Sequence, residues 1–380
     1  CKLGLAEKMG QVSAGTSLSD FTEEEIGRRI SVYSQTFAGV FKTRQGRRMQ
    51  VTLTDTPGTD DFYGQVLCAT RVADAGLLTL DATAGIQVGS HRAWRRCVAL
   101  DLPRALVVTG LDKENADFRK LVGEAQTLWG AGCVPVVFPA GGALADLLGG
   151  EPPAGEAGAY AQTCRSALIE RAAETDDALL EKYLGGEELA AEEIARGLRA
   201  AVCGGTLVPI FAVMALKDTG VTELLDGLAR LFPSPLDRPV KDAEGNPVKP
   251  GAEDPFVGLV WRHVTDPYAG KLSYVRVYGG TLRENSEVFN AARSQKEKIG
   301  ALLQPQGKKP APIPEARAGD IVAIPKLKAT GLHDALCAVG HKAAFEPVVF
   351  PTPVVSVSVT ARNAADEDKL GSALARAVED

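Results

Sequence analysis

The residues best equipped for chemistry lie where an alternating apolar stretch, Val51-Thr-Leu53-Thr, runs into Asp55-Thr56-Pro57-Gly58-Thr59. A carboxylate at the end of a strand can hold a divalent cation, directly or through water. The glycine that follows leaves its amide free for a close approach to a terminal phosphate. On its own the same tetrapeptide is also an ordinary turn, so its flanks must decide. The loop G-x-x-x-x-G-K-[ST], which cradles phosphates with its backbone amides, is not found. Gly270-Lys271 and Gly307-Lys308 have neither the earlier glycine nor the following hydroxyl residue. The four His (91, 263, 333 and 341) are scattered, and the seven Cys form no CxxC pair, so no metal set emerges.

The elements that must position Asp55 are short runs rich in Val, Leu and Ile at 48–54, 75–80, 104–109 and 207–213. Longer stretches with helical spacing, Gly89–Leu100 and Glu114–Trp129, lie between them. That alternation predicts an α/β domain with a mostly parallel sheet covered on both faces. Pro139–Gly158 reads as a Gly/Pro/Ala-rich loop and Ala159–Cys203 as helical. Two prolines close the last helix at Pro233 and Pro235, and the polar, Gly/Pro-punctuated stretch 239–255 marks a boundary. Beyond it, Phe256–Trp261, Lys271–Tyr278, Ser286–Asn290 and Asp320–Ile324 read as short strands with turns at Asp266-Pro267 and Gly279-Gly280. That texture predicts an antiparallel barrel or sandwich. Residues 353–359 give one more strand and Ala365–Glu379 a helix. Trp94 and Trp261 are expected in packing roles.

The chain has 380 residues, 45% hydrophobic and 24% charged, which argues against wholesale disorder. No apolar run approaches a bilayer span, so no membrane role is expected. Most Cys sit among apolar neighbours, as buried free thiols do in the cytoplasm. Net charge is −6, yet 256–330 carries 12 Lys and Arg against 6 Asp and Glu. A basic module in an acidic chain suggests one face for a polyanion, with a solvated basic surface as the plain alternative. Arg283, Arg293, Lys296 and Lys298 fall in one hairpin-sized stretch. Alternate residues of a hairpin share a face, so several of these four can point the same way and are the candidate contacts to such a polyanion.

Nearly the whole chain resembles elongation factor G, collinearly. Thr16-Ser-Leu-Ser-Asp-Phe, Glu23-Glu-Glu-Ile and Arg28-Arg-Ile-Ser-Val resemble its first switch loop, and Asp55–Phe62 its second. Leu111-Asp112-Lys-Glu-Asn-Ala-Asp-Phe118 is similar to its guanine-specifying loop and the helix after it. Leu80-Asp-Ala-Thr-Ala-Gly, Ala178-Leu-Leu-Glu-Lys-Tyr-Leu and Val208-Pro-Ile resemble further parts of its nucleotide domain. Asp266-Pro-Tyr-Ala-Gly-Lys-Leu-Ser-Tyr and Arg317-Ala-Gly-Asp-Ile resemble its second-domain barrel, and Pro351–Leu374 the opening of its third domain. The resemblance implies a ribosome-associated GTPase in three parts. These are a nucleotide-binding domain over 1–234 with a helical insertion at about 140–204, a β-barrel over 235–349, and the start of a third domain over 350–380. It implies GTP or GDP and Mg²⁺ as ligands, rRNA and ribosomal proteins as partners, a monomer, and a cytoplasmic setting. By the family's register Cys1 falls after the phosphate-binding loop, so that loop is expected upstream, with a genuine loss as the alternative.

By the same resemblance Ser31 and Asp55 would hold Mg²⁺, and Thr56, Pro57 and Gly58 would face the phosphates. Asp112 would accept both N–H donors of the guanine edge as a charge-assisted pair. Thr109 and Met214-Ala215-Leu216 would complete the base site, the Ala215 amide meeting the base carbonyl. The departures bear on chemistry. Thr59 stands where the family has the His that helps to place the attacking water, and groups of that kind contribute about 10²–10⁴ in rate. Thr109-Gly110 replaces Asn-Lys, which removes a neutral hydrogen bond worth roughly 0.5–1.5 kcal/mol and part of the lining of the base. Met214 replaces a Ser. A paralogue that binds ribosome or nucleotide without efficient hydrolysis is the second reading.

Overall fold

The computed structural model describes residues 1–151, 153–266 and 270–379. Four elements come first: helix α1 (Glu23–Arg28), strands β1 (Gln35–Lys42) and β2 (Arg48–Asp55), and helix α2 (Tyr63–Arg71). The chain forms two compact units. One comprises residues 1–9, 39–51 and 73–234, the other 10–38, 52–72 and 235–380. Strand β2 pairs with β1 in a separate two-stranded sheet rather than joining a larger one as expected. Its residues are exposed or half-buried throughout, so it lacks the two buried faces that an interior parallel strand needs.

The first unit holds a five-stranded sheet in the order β3-β4-β7-β5-β6. Its strands are β3 (Gly76–Asp81), β4 (Arg104–Thr109), β5 (Cys133–Ala140), β6 (Ala143–Asp146) and β7 (Val208–Ala212). The first four in that order run parallel, and β6 adds an antiparallel edge. Ala105, Leu106, Val136, Ile210 and Phe211 are buried at its centre. Helices α3 (Val88–Ala99), α4 (Phe118–Trp129), α5 (Gly155–Ala173), α6 (Asp177–Leu184), α7 (Ala191–Cys203) and α8 (Val221–Leu231) complete the unit. The expected helix over 114–129 begins only at Phe118, because Asp117 caps it by accepting the Lys120 amide at 2.9 Å. The expected loop over 139–158 contains β6 and the first turn of α5. The expected continuous helical stretch 159–203 is broken twice, once where Asp176 caps α6. Trp94 is half-buried and stacks on Trp129 with centroids 4.5 Å apart.

The second unit carries an eight-stranded antiparallel sheet, ordered β14-β13-β19-β10-β11-β18-β15-β16. Short strands β8 (Val240–Lys241) and β9 (Pro247–Val248) precede it. Its long central pair is β10 (Val257–Asp266) and β11 (Gly270–Gly279), flanked in sequence by β12 (Thr281–Arg283), which pairs with β17 (Glu315–Arg317). The remaining strands are β13 (Glu287–Asn290), β14 (Gln295–Lys298), β15 (Leu302–Gln304), β16 (Ala311–Ile313), β18 (Ile321–Pro325) and β19 (Ala335–Ala338). Leu259 and Trp261 belong to one core cluster and Val260 to another, so alternate residues of β10 feed two cores. The first of these cores also takes in Cys68, Ala69 and Val72 at the end of α2. Pro267, Tyr268 and Ala269, which follow Asp266 in the expected turn, lie outside the described residues.

Helix α9 (Glu367–Glu379) is present, but the strand expected over 353–359 is not. Val354, Val355 and Val357 are exposed, and among the described residues nothing pairs with this segment. A lone extended segment has no ladder to complete. Five of the seven Cys are buried and all seven are free thiols. Among the described residues no helix is long and apolar enough to cross a membrane.

Candidate functional site

In the second unit, Asp55 closes β2, Pro57 is buried, and Gly58 and Thr59 are exposed. A Cβ built on Gly58 would meet nothing within 4 Å, and its φ is not in the left-handed region. The fold itself therefore asks for no glycine there, and the backbone at this position is open to approach from solvent. Thr59 leads into a short 3-10 turn at 60–62, and its side chain makes no capping bond to that turn.

Around Ser31 the backbone is held by one buried carboxylate. The side chain of Glu25 accepts the Val32 and Tyr33 amides at 3.2 and 3.1 Å and the Thr22 hydroxyl at 2.8 Å. Thr22 and Glu25 also form a reciprocal capping box at the start of α1. The Ser31 hydroxyl donates to Asp20 at 2.8 Å. Asp20 links the two candidate metal residues, because its charge also acts on Asp55. The Asp55 carboxyl is pushed above the ordinary range, first by desolvation and then by Asp20 and Glu25, while the Ser19 hydroxyl and the Thr56 amide pull it back. Asp55 keeps an open surface, so water limits the desolvation and the like charges of Asp20 and Glu25 weigh correspondingly more.

In the first unit, Thr109 closes β4 and donates its hydroxyl to the Leu80 carbonyl at 3.3 Å. Asp112 faces Lys217, with 3.6 Å between carboxylate and ammonium. The loop that carries Lys217 is pinned by Met214, whose amide reaches the Thr219 carbonyl at 2.9 Å. Ala215 begins a 3-10 turn, and Leu216 is 70% exposed. The structure therefore gathers Thr109, Asp112, Met214, Ala215 and Leu216 in this unit, and Ser31, Asp55, Thr56, Pro57, Gly58 and Thr59 in the other.

Asp81, Lys113 and Lys217 stand beside Thr109 and Asp112; Asp81 and Lys113 fall within stretches that resemble the family, but the sequence gives none of the three a role of its own. Asp81 accepts the Thr83 amide and hydroxyl at 2.8 and 2.6 Å and the Lys113 ammonium at 2.5 Å. These bonds, that of Lys113 foremost, hold its carboxyl well below the usual range. Gly110 has φ +70°, and a Cβ there would lie 3.2 Å from the Asp81 carboxylate. A side chain at 110 is thus strained twice, by its backbone and by this contact. The available signal was position alone, since Lys113 directly follows Asp112. Glu25 was legible as Thr22-x-x-Glu25.

Three of the four candidate RNA contacts have acidic partners within the fold. Arg283 pairs with Glu315 at 3.4 Å, Arg293 with Asp334 at 3.1 Å, and Lys296 with Glu287 at 2.9 Å. Lys296 and Lys298 share the exposed side of β14, while Glu297 between them is buried. The first unit also contains a cleft of about 600 Å³, lined in part by Arg47, Arg165, Arg199, Leu168, Ile194 and Leu198. None of the motif residues above lines it.

Residues 2–234 match the family described as the elongation factor Tu GTP binding domain. Residues 255–339 match elongation factor G domain 2. A crystal structure from Thermus thermophilus is similar over all of this chain, with 31% identity and a TM-score of 0.87. The match takes in 57% of that chain, so the present chain spans little more than half of its length. A GTP-binding domain that takes in most of the residues, followed in order by a second domain of the elongation factor G kind, establishes that this chain belongs to the translational GTPase family, as an elongation factor G-like protein.

Proposed function

We propose that the chain supplies the nucleotide-binding and second domains of a ribosome-associated GTPase of the elongation factor G type, which hydrolyses GTP to drive a ribosomal step. The nucleotide domain takes residues 1–234, the second domain 235–349, and a third begins at about 350. The setting is cytoplasmic and the protein a monomer.

The observation that carries this reading is the oxygen-rich neighbourhood of Asp55, in a chain of this family. Ser31, Asp20 and Asp55 offer a hydroxyl and two carboxylates, linked through Asp20. Mg²⁺ suits hard oxygens and takes one or two carboxylates with phosphate and water rather than a dedicated cage. Among the described residues no group of three or more His, Cys, Asp and Glu could hold a metal alone. A shared site of that type fits these donors. When bound, the cation offsets phosphate charge. Ser31 and Asp55 would hold it, the Gly58 amide would face the terminal phosphate, and Asp112 would select guanine. Thr109, Met214, Ala215 and Leu216 would frame the base.

A second reading, nucleotide or ribosome binding without efficient hydrolysis, draws on Thr59. Its hydroxyl is exposed and can bind water, but it brings no imidazole. Single-turnover GTP hydrolysis by the whole protein, with and without ribosomes and with and without Mg²⁺, tests both. Mg²⁺-dependent phosphate release stimulated by ribosomes supports the first reading. Binding without stimulated release supports the second, and no binding of either ligand removes both.

A further inference from the structure

The segment that follows Ser31 is held at its backbone by the sheet domain. Ser34, Gln35 and Thr36 are all buried. The Ser34 amide donates to the Gln65 side-chain carbonyl in α2 at 3.1 Å, and the Ser34 hydroxyl to the Gln65 main-chain carbonyl at 3.4 Å. The Ser34 carbonyl accepts from a guanidinium nitrogen of Arg262 in β10. Arg262 is itself buried, and its guanidinium lies 5.5 Å from the centre of the Tyr274 ring. Two residues on, the Thr36 carbonyl accepts the Gly307 amide at 3.2 Å, and Phe37 bridges Gln306. The Thr36 and Thr54 hydroxyls meet at 3.1 Å, which ties the same segment to the residue before Asp55.

We infer that Arg262 is a positioning residue, which fixes the Ser34 carbonyl and through it sets the placement of Ser31 relative to Asp55. The inference rests on the reading of Ser31 and Asp55 as metal-holding residues. A buried guanidinium keeps its charge and needs acceptors. A main-chain carbonyl three residues after Ser31 is an acceptor that exists only while this segment lies against the sheet. A charged hydrogen bond of this kind is stronger than a neutral one, so the arginine favours one placement of the segment. Ser34 is the shared node, since its amide is read by α2 and its carbonyl by β10. Helix α2 and strand β10 thus both hold the one residue Ser34, through its amide and its carbonyl respectively.

The test is amide hydrogen exchange over residues 31–37 in the wild-type chain, Arg262→Lys and Arg262→Met, with the amides of β11 and β18 as a folding control. Exchange is expected to speed up by roughly tenfold to a hundredfold in Arg262→Met, as for loss of a charged hydrogen bond. Arg262→Lys, which keeps a donor but loses the planar fork, is expected to fall between Met and wild type. Unchanged exchange in Arg262→Met with a protected sheet overturns the inference. Should Arg262→Met lose the sheet, Arg262→Lys decides: faster exchange beside an intact sheet supports the inference, and exchange equal to wild type overturns it. A second arm adds Mg²⁺ and GTP to the whole protein. Protection of 31–37 that Ser31→Ala and Arg262→Met both abolish, and Arg262→Lys partly restores, marks positioning rather than mere packing. No protection by nucleotide in the wild type counts against the metal reading alone, because the first arm still reads the hold of Arg262 on Ser34.

Discussion

Lys217 and Asp112 face each other at 3.6 Å, the lysine 59% and the aspartate 27% exposed. An exposed pair of this type is worth about 0–1 kcal/mol to stability, so its interest lies in what the carboxylate recognises. Guanine presents two N–H donors on the edge that Asp112 would read, whereas xanthine has a carbonyl in place of the exocyclic amine. Asp112→Asn exchanges one acceptor for a donor. It is expected to weaken GDP binding and strengthen binding of xanthosine diphosphate. Competition titrations against a fluorescent nucleotide measure both, and an unchanged preference would place base selection elsewhere.

Thr59→His is expected to raise ribosome-stimulated hydrolysis. The Thr59 side chain caps nothing in its own turn and is exposed, so an imidazole there meets no demand of the fold. A water-orienting group contributes about 10²–10⁴ in rate, and a gain of at least tenfold in single-turnover phosphate release is the result to look for. Equal rates would show that position 59 does not address the attacking water.

Asp81 gives a pH prediction. Its folded carboxyl lies well below the ordinary value because Lys113 and Thr83 bond its charged form. A depressed folded pKa contributes stability that is fully present above the unfolded value, about 3.9. That contribution is lost as pH falls through the folded value. The carboxyl is partly exposed, so screening keeps the contribution within about 1 kcal/mol. Carbon-detected NMR should find Asp81 still ionised below pH ~3.9, and Lys113→Met should move its titration back up. A midpoint unaffected by that substitution would mean that Lys113 does not set it.

Glu25 should govern the order of the segment around Ser31. It is fully buried and accepts from Val32, Tyr33 and Thr22. Glu25→Ala leaves those donors without their acceptor, at about 1–3 kcal/mol each. Arg28 and Arg29 are exposed beside this clip, so limited trypsin digestion should cut there faster in the variant. The same cleavage rate as wild type would show that the segment is held by other contacts.

The parts of this protein that follow from local pattern were legible. Leu106, Val107 and Val108 form an uninterrupted apolar run, and β4 is where that run predicts it. Strand β5 was hidden by Pro135 and Pro139, which demote a run as a strand candidate, and the sheet absorbs them with a register shift between Pro135 and Val137. Asp55 and Asp112 stood out because each sits in a run of neighbouring residues that together resemble a family motif. Lys217 against Asp112, Lys113 against Asp81, and Arg262 against Ser34 are made by the fold, and no spacing announces them. The basic count of the second domain was real, but charge along a sequence does not show which cations already have acids beside them.

That distinction separates the four cations proposed to meet RNA. Arg293 bonds Asp334, a carboxylate only 7% exposed that also accepts from Asn290 at 3.0 Å and from the Gly331 amide at 2.8 Å. Removing the guanidinium leaves a buried charge short of one partner, so Arg293→Ala should destabilise the sheet domain by about 1–3 kcal/mol. Lys296 and Lys298 lie on the open side of β14, and the pair of Lys296 with Glu287 joins two half-exposed side chains. A phosphate can displace a partner held that weakly. Lys296→Ala with Lys298→Ala should therefore leave unfolding unchanged and weaken ribosome binding. The slope of log affinity against log salt should fall by about 0.7–0.9 for each phosphate no longer neutralised. Co-sedimentation over a salt series, beside urea unfolding of the same variants, reads both effects. An unaltered slope in the double lysine variant would leave this strand a solvated face and move the RNA interface elsewhere on the protein.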